Sequence, residues 1–344
     1  MIKIKKRVIS NSKPCFVIAE VGLAHEGSVG IAKSFIDLIS DAKADAVKFQ
    51  MHIPEEESSY LEKFRKKFST QDRSRWDYWK RTSFTISQWI ELKKYSEKKG
   101  LIFLCSPFSL KAVDILNKMK IDAWKIASGE FTNLLMIDKI IRSSTKPLIL
   151  STGLSDEKEV GILMTEVNKK NICLLQCTSQ YPANLENAGH NYIDLLKKKY
   201  KCVAGISDHT GNINSLIAAV SMGANILEAH VTFHPKFFGP DTTSSINFQE
   251  LKFLCNYTRD FNLIKNSNYS KKKKTIVQKK LIKLFTKSLV LKNNKTKGDK
   301  IYIHDLESKK PRVGIDAMFY KKIIGKKVAK NLTKGVFLKK SDFI

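Results

Sequence analysis

The strongest constraint on the fold of this chain is a repeat in hydrophobic texture between residue 14 and about residue 265. Short apolar runs recur there, and segments with helical spacing of apolar residues lie between them. The runs read as strands at 15–20 (CFVIAE), 45–50 (DAVKFQ), 102–106 (IFLCS), 123–128 (AWKIAS), 148–152 (LILST), 173–178 (CLLQCT), 203–208 (VAGISD) and 226–232 (ILEAHVT). Stretches such as 28–41 and 212–223 carry the i, i+3, i+4, i+7 pattern of an amphipathic helix. Strands alternating with helices imply a parallel sheet. Eight such units in about 250 residues predict an α/β fold of the (β/α)8 TIM-barrel type.

The texture changes beyond the barrel. Residues 266–285 include Lys271–Lys274 and read as a basic linker, which places the barrel domain at 1–265. From 286 to 344 short strand-like runs with few helical periods predict a small β-rich domain. The connection at 53–85 is long enough to be a lid or binding loop. A helical hairpin packed on the rim through Trp76, Tyr78 and Trp79 is an equal reading.

Composition narrows the class of function. No apolar run approaches the roughly 20 residues of a membrane span, so no membrane partner is expected. The start, MIKIKKRVIS, has basic residues but no apolar signal-peptide core behind them. The six cysteines (Cys15, Cys105, Cys173, Cys177, Cys202, Cys255) show no CxxC pair, which predicts reduced thiols and a cytoplasmic protein. The net charge is +28. Residues 271–344 hold 23 basic and 5 acidic side chains, a net of +18. Most of the excess is scattered lysine, so a nucleic-acid partner is not expected, whereas small anionic substrates would be attracted.

The strands begin apolar and finish polar. The series runs Glu20, Lys48 with Gln50, Ser106, Lys125 with Ser128 and Glu130, and Ser151. It continues with Gln176, Ser179 and Tyr181, then Ser207, Asp208 and His209, then Glu228 and His230. Barrel strands deliver their C-terminal ends to one face, which carries the active site. A ring of polar groups at that end is hard to explain by packing. His209 and His230 end adjacent strands and could share one divalent cation, although a hydrogen-bonding core role is an equal reading for the pair. Lys48 and Lys125, with Ser128, Ser151 and Ser207, could hold a small doubly charged anion such as a phosphorylated carboxylate. Schiff-base aldolase chemistry is the competing use of such a lysine. Asp208 and Glu228 could orient the imidazoles, or simply pack. The absence of Walker A and GxGxxG motifs leaves nucleotide binding without support.

In order and spacing, FVIAEVGLAHEGS, DAVKFQ, FLCSPFS, WKIASGEFTN, LILSTG, QCTSQYP, GISDHTG, ILEAHVTF and GPDTTSS resemble the sialic acid synthase family. The tail from SLVLKNNKTKGDK to VFLKKSDF resembles that family's antifreeze-like (SAF) domain. The resemblance implies condensation of phosphoenolpyruvate with an N-acylated hexose, N-acetylmannosamine or a diacetamido-trideoxyhexose, to give a nine-carbon sugar and phosphate. It implies a divalent ion, Mn2+ or Mg2+, on His209 and His230. It places phosphoenolpyruvate on Lys48, Lys125, Ser128, Ser151, Ser179 and Ser207. The sugar falls to Glu20, Gln50, Glu130, Tyr181 and Asp241, with Glu20 or Glu130 as general acid/base. A domain-swapped homodimer follows from the same resemblance, the tail capping the partner's site. Two departures bear on the acceptor. Ala24 stands where many members have Asn, and Lys310 takes the place of a capping Arg, with Arg312 two residues on.

Overall fold

The computed structural model describes residues 1–344 except 60, 66, 67, 70 and 168–170. The chain divides into two compact units, Met1–Ser267 and Asn268–Ile344.

The first unit opens with an antiparallel hairpin, β1 (Ile2–Ile4) and β2 (Arg7–Ile9). Eight parallel strands follow. They are β3 (Phe16–Gly22), β4 (Ala46–Met51), β5 (Ile102–Pro107), β6 (Trp124–Ile126), β7 (Leu148–Ser151), β8 (Ile172–Cys177), β9 (Val203–Asp208) and β10 (Ile226–Thr232). They pair in the order β5-β4-β3-β10-β9-β8-β7-β6, so the last strand joins the first and only the β5/β6 seam lacks a ladder among the described residues. This is the barrel expected from the repeat, with the eight runs at their expected places.

Side chains alternate along each strand because successive Cβ atoms point to opposite faces. Val17 and Ala19 face the helices, whereas Phe16 and Ile18 face the barrel axis. Ile102, Leu104, Ile149, Leu175 and Ile226 complete the axial layer, and Ile2, Ile4 and Ile9 of the hairpin pack against it. The axis is therefore a filled core, with the hairpin packed against its apolar residues. The next inward positions along the same strands are Glu20, Lys48, Lys125, Ser151 and Glu228, so the apolar filling gives way to charge near the C-terminal ends.

Helix starts follow local chemistry. Ser28, Ser109 and Asn212 each accept a hydrogen bond from a first-turn amide, and Asp156 and Asn247 form reciprocal capping boxes. The 53–85 connection contains a short helix, Pro54–Glu57, and a longer one, Arg75–Thr82. Tyr78 and Trp79 are buried against Leu23, with Phe64 and Phe68 alongside, while Trp76 is half-buried.

The second unit corrects the linker reading. A helix runs from Ile276 to Phe285, opened by a Thr275–Gln278 capping box, inside the stretch read as a linker. Interleaved lysines obscure its apolar residues, all of which are at least partly exposed. In the first unit β11 (Ser245–Asn247) pairs in parallel with β10; beyond the helix, β12 (Ser288–Leu291) and β13 (Leu306–Lys309) pair antiparallel. Leu289, Leu291, Ile301, Val328 and Leu338 form the small core of this second unit.

Candidate active site

The sequence ring converges at the C-terminal mouth of the barrel. Lys48 Nζ lies 2.9 Å from Glu20 Oε2 and 3.7 Å from Glu228 Oε1. Lys125 Nζ lies 3.2 Å from the same Glu228 oxygen and donates to Ser151 Oγ at 2.9 Å. Ser207 Oγ donates to Glu228 Oε1 at 2.9 Å. All four charged groups are buried. Two ammoniums and two carboxylates thus balance in a deeply buried layer, where unpaired charge would be very costly.

The balance is uneven. Burial pushes the Glu228 carboxyl up, but Lys125 and Lys48 outweigh it and hold it down to about 2. Burial raises the Glu20 carboxyl, and Lys48 offsets this only in part. Burial lowers the Lys125 ammonium despite Glu228, whereas the two carboxylates raise Lys48. Glu228 therefore does not orient an imidazole; it anchors both lysines. Asp208 is also turned away from the histidines, accepting from Thr210 N at 2.9 Å, Thr210 Oγ1 at 2.8 Å and Ser215 Oγ.

Above this layer lies a cavity of about 300 Å³. Gln50, Ser128, Ser179, Tyr181, His230 and Asp241 line its polar side. Ser179 Oγ donates to Ser128 Oγ at 2.8 Å. Gln50 Nε2 donates to Glu20 Oε1 at 2.7 Å, joining the cavity to the charged layer. Gly22, at φ +57°, sits in the left-handed region beside this junction, so its backbone rather than its space calls for glycine: a Cβ there would make only ordinary contact with Gln50 Nε2 at 3.5 Å and His230 Cε1 at 3.7 Å. Glu130 is half-buried, accepts from Asn133 Nδ2 at 2.8 Å, and has its carboxyl raised by burial.

His209 and His230 stand with ring centroids 5.5 Å apart. His209 Nδ1 lies 2.9 Å from the Thr178 carbonyl, which fixes the hydrogen on Nδ1 and leaves the Nε2 lone pair toward the Tyr181 hydroxyl at 3.0 Å. Burial, followed by the neighbouring His230, lowers His209 to about 4, and burial also lowers His230. Both imidazoles are thus neutral, as a metal ligand must be. Asp241 adds a carboxylate that burial would raise but that lies below its ordinary value, with Arg65 donating to it at 2.8 Å. The two neutral imidazoles are of the kind that ligates a divalent cation, which would need its remaining ligands from water or substrate. Among the described residues no group of three or more His, Cys, Asp or Glu side chains is placed to hold a metal ion.

Several wall residues escaped the sequence reading. Arg65 Nη2 donates to Asp241 Oδ1 at 2.8 Å, and its guanidinium lies 3.9 Å from the Tyr181 ring centre. Arg75 also lines the cavity, paired with Glu62 at 2.9 Å. Both come from the 53–85 connection, which is therefore a packed wall of the site. His52 and Phe108 complete that wall. His52 was legible in principle, since it continues the inward alternation 48, 50, 52. Lys310 and Arg312 belong to the second unit. There Lys310 Nζ lies 5.6 Å from the Phe285 ring centre, and Arg312 pairs with Asp316 at 3.0 Å.

With the geometry established, comparison with known proteins assigns the chain. The profile of the NeuB family matches residues 35–270. The chain belongs to the NeuB family. An N,N'-diacetyllegionaminic acid synthase from Campylobacter jejuni is 34% identical over 93% of this chain and 97% of that protein. The human N-acetylneuraminate-9-phosphate synthase is 30% identical over 74% of this chain and 72% of its own length. Among solved structures, an N-acetylneuraminic acid synthetase from Leptospira borgpetersenii superposes with a TM-score of 0.70 at 29% identity, covering 82% of this chain and 94% of that one. This NeuB-family chain is accordingly a synthase-type enzyme. No helix among its described residues is long and apolar enough to cross a membrane.

Proposed function

We propose that the enzyme condenses phosphoenolpyruvate with an N-acylated hexose, forming a nine-carbon sialic-acid-type sugar and phosphate. The observation that carries this reading is the stacking of two layers in one mouth: a buried lysine–serine layer suited to an anion, and a polar cavity above it suited to a polyol. Lys48 and Lys125 face the anion's oxygens, and the hydroxyls of Ser128, Ser151, Ser179 and Ser207 can each donate to one. An arriving anion adds negative charge beside Glu20, whose carboxyl burial already raises, so Glu20 takes up a proton as the substrate binds. That makes Glu20 the better acid of the pair Glu20 and Glu130, and Gln50, which lines the cavity, links it there by a hydrogen bond.

C3 of phosphoenolpyruvate would bond to the aldehyde carbon of the open-chain sugar, and water would add at C2. Phosphate would then leave by C–O cleavage, with one proton delivered to the new alkoxide and one taken from the water. A divalent ion on His209 and His230, Mn2+ or Mg2+, would polarise the aldehyde oxygen when bound. The chain's own part is to hold both imidazoles neutral, as Thr178 does for His209, and to keep Asp241 ionised beside them. Tyr181, Gln50 and Asp241 would hold the sugar's hydroxyl and acylamino groups. Arg65 and Arg75 are each paired with a carboxylate, which favours an uncharged acceptor over a phosphorylated one.

The second unit would serve as an SAF-type cap in a domain-swapped homodimer, with Lys310 or Arg312 reaching the partner's acyl group, and the enzyme would work in the cytoplasm. The test is phosphate release from phosphoenolpyruvate with Mn2+ across N-acetylmannosamine, a diacetamido-trideoxyhexose and a no-sugar blank. Sugar-dependent release supports the reading, and the accepted sugar names the branch. No release with any sugar refutes it.

A further inference from the structure

His52 is not among the groups that the proposed chemistry uses, yet it is buried at the cavity wall with a definite hydrogen-bond pattern. Its Nδ1 lies 2.6 Å from Glu57 Oε1, and its Nε2 lies 3.2 Å from Gln50 Oε1. Gln50 is held one way round while Glu20 is ionised, because its other amide atom faces Glu20 Oε1 at 2.7 Å and donates to it. His52 Nε2 therefore meets a true acceptor and must carry a hydrogen. Its Nδ1 meets a carboxylate whose second oxygen accepts from Ile53 N at 3.2 Å, so that contact also needs a hydrogen. The ring lies between Trp79, centroids 4.6 Å apart and 8° from parallel, and Phe108, 4.1 Å and 25°. Aromatic faces on both sides favour a cationic ring. The titratable groups that feel this pair from other elements are Glu130 and His25.

We propose that His52, with a hydrogen on each ring nitrogen and Glu57 holding one of them, is a positioning residue that fixes the Gln50 amide with its NH2 toward Glu20. The consequence is a one-way chain. Glu57 accepts from His52, His52 donates to Gln50, Gln50 donates to Glu20, and Lys48 pairs with the far oxygen of Glu20. If His52 Nε2 lost its hydrogen, the Gln50 oxygen would face a lone pair. The amide would then turn and present an oxygen to Glu20, disturbing the carboxyl proposed as the acid. The catalytic part of this inference rests on the function proposed above; the protonation pattern does not.

Two measurements test it on the full-length protein. The first is an NMR count of hydrogens on the ring nitrogens in protein carrying 15N-histidine, with His52 assigned by its loss in His52→Phe. The two contacts lead to a hydrogen on each nitrogen, and a bare nitrogen overturns the proposal whether or not the enzyme turns over. The second is kinetics in the phosphate-release assay. Losing a charge-assisted contact should make His52→Phe lose about tenfold or more in kcat/KM for the sugar, with the KM for phosphoenolpyruvate unchanged. Glu57→Gln, which removes the carboxylate that holds His52 Nδ1, should likewise lower kcat/KM for the sugar and leave the KM for phosphoenolpyruvate unchanged. A wall that merely packs would leave these constants in place, and an unchanged kcat/KM for the sugar in Glu57→Gln overturns the positioning role. If the parent enzyme releases no phosphate with any sugar, the proposed function fails, and the NMR count still decides the state of His52.

Discussion

Lys125 Nζ and Glu228 Oε1 are 3.2 Å apart and almost wholly buried, and the same oxygen lies 3.7 Å from Lys48. One carboxylate oxygen thus holds both lysines of the mouth in place. Lys125→Ala removes a cation from the anion layer but leaves Glu228 paired with Lys48 and Ser207. Turnover is expected to fall by about a hundredfold or more, as for loss of a preorganised charge stabiliser. The stability loss is expected near the low end of about 3–5 kcal/mol for a broken buried pair. Steady-state phosphate release and urea unfolding measure the two effects, and near-normal turnover would refute the role given to Lys125.

The same logic reaches the metal. His230→Ala removes one of two neutral imidazoles from the mouth without disturbing the lysine layer. Chelation is expected to abolish activity in the parent enzyme, and added Mn2+ or Mg2+ to restore it. In His230→Ala neither ion should restore more than about a hundredth of the parent rate. Full activity in the presence of excess chelator would show that the histidines serve some other purpose.

Gly205 predicts a purely structural failure. A Cβ built there would lie 1.9 Å from the Ile226 carbonyl oxygen, so β9 and β10 touch too closely for any side chain. Gly205→Ala must spread the two strands that carry Ser207 and Glu228. A loss of roughly 3 kcal/mol or poor soluble yield is expected, as for severe overpacking. Thermal unfolding of the purified variant checks it, and an unchanged Tm would mean that the strands can part at little cost.

The barrel was legible because its signal is periodic: Val17, Ala19 and Phe49 against the helices, Phe16, Ile18 and Leu104 inside, with polar ends on the inward phase. Much of the mouth was legible for the same reason. What stayed hidden depends on meetings between distant segments. Glu228 sits beside His209 in the strand order, but its side chain turns to Lys125 and Ser207 on the inner face. Arg65 lies in an irregular stretch with no period to place it, and only the aromatic packing of Tyr78 and Trp79 brings that stretch over the mouth. The helix at Ile276–Phe285 was masked by lysines set among its apolar positions.

His25 gives a pH dependence whose sign can be worked out. Its ring stacks on Phe84 with centroids 4.3 Å apart, and its Nδ1 accepts from Gly27 N at 3.1 Å. Burial lowers it to about 3, against about 6.5 in an unfolded chain. Between those values the unfolded chain binds a proton that the native protein refuses. The native state therefore loses stability as pH falls from about 6.5 toward 3, by up to about 1.4 kcal/mol per pH unit from this residue. His209 and His230 act in the same direction, so the test is a difference. His25→Phe keeps the stacked ring and removes the titration. Urea unfolding at pH 7 and pH 5 should show a smaller stability loss in the variant than in the parent. Equal losses in the two proteins would mean that His25 accepts its proton without unfolding, and that the pocket around Phe84 admits water.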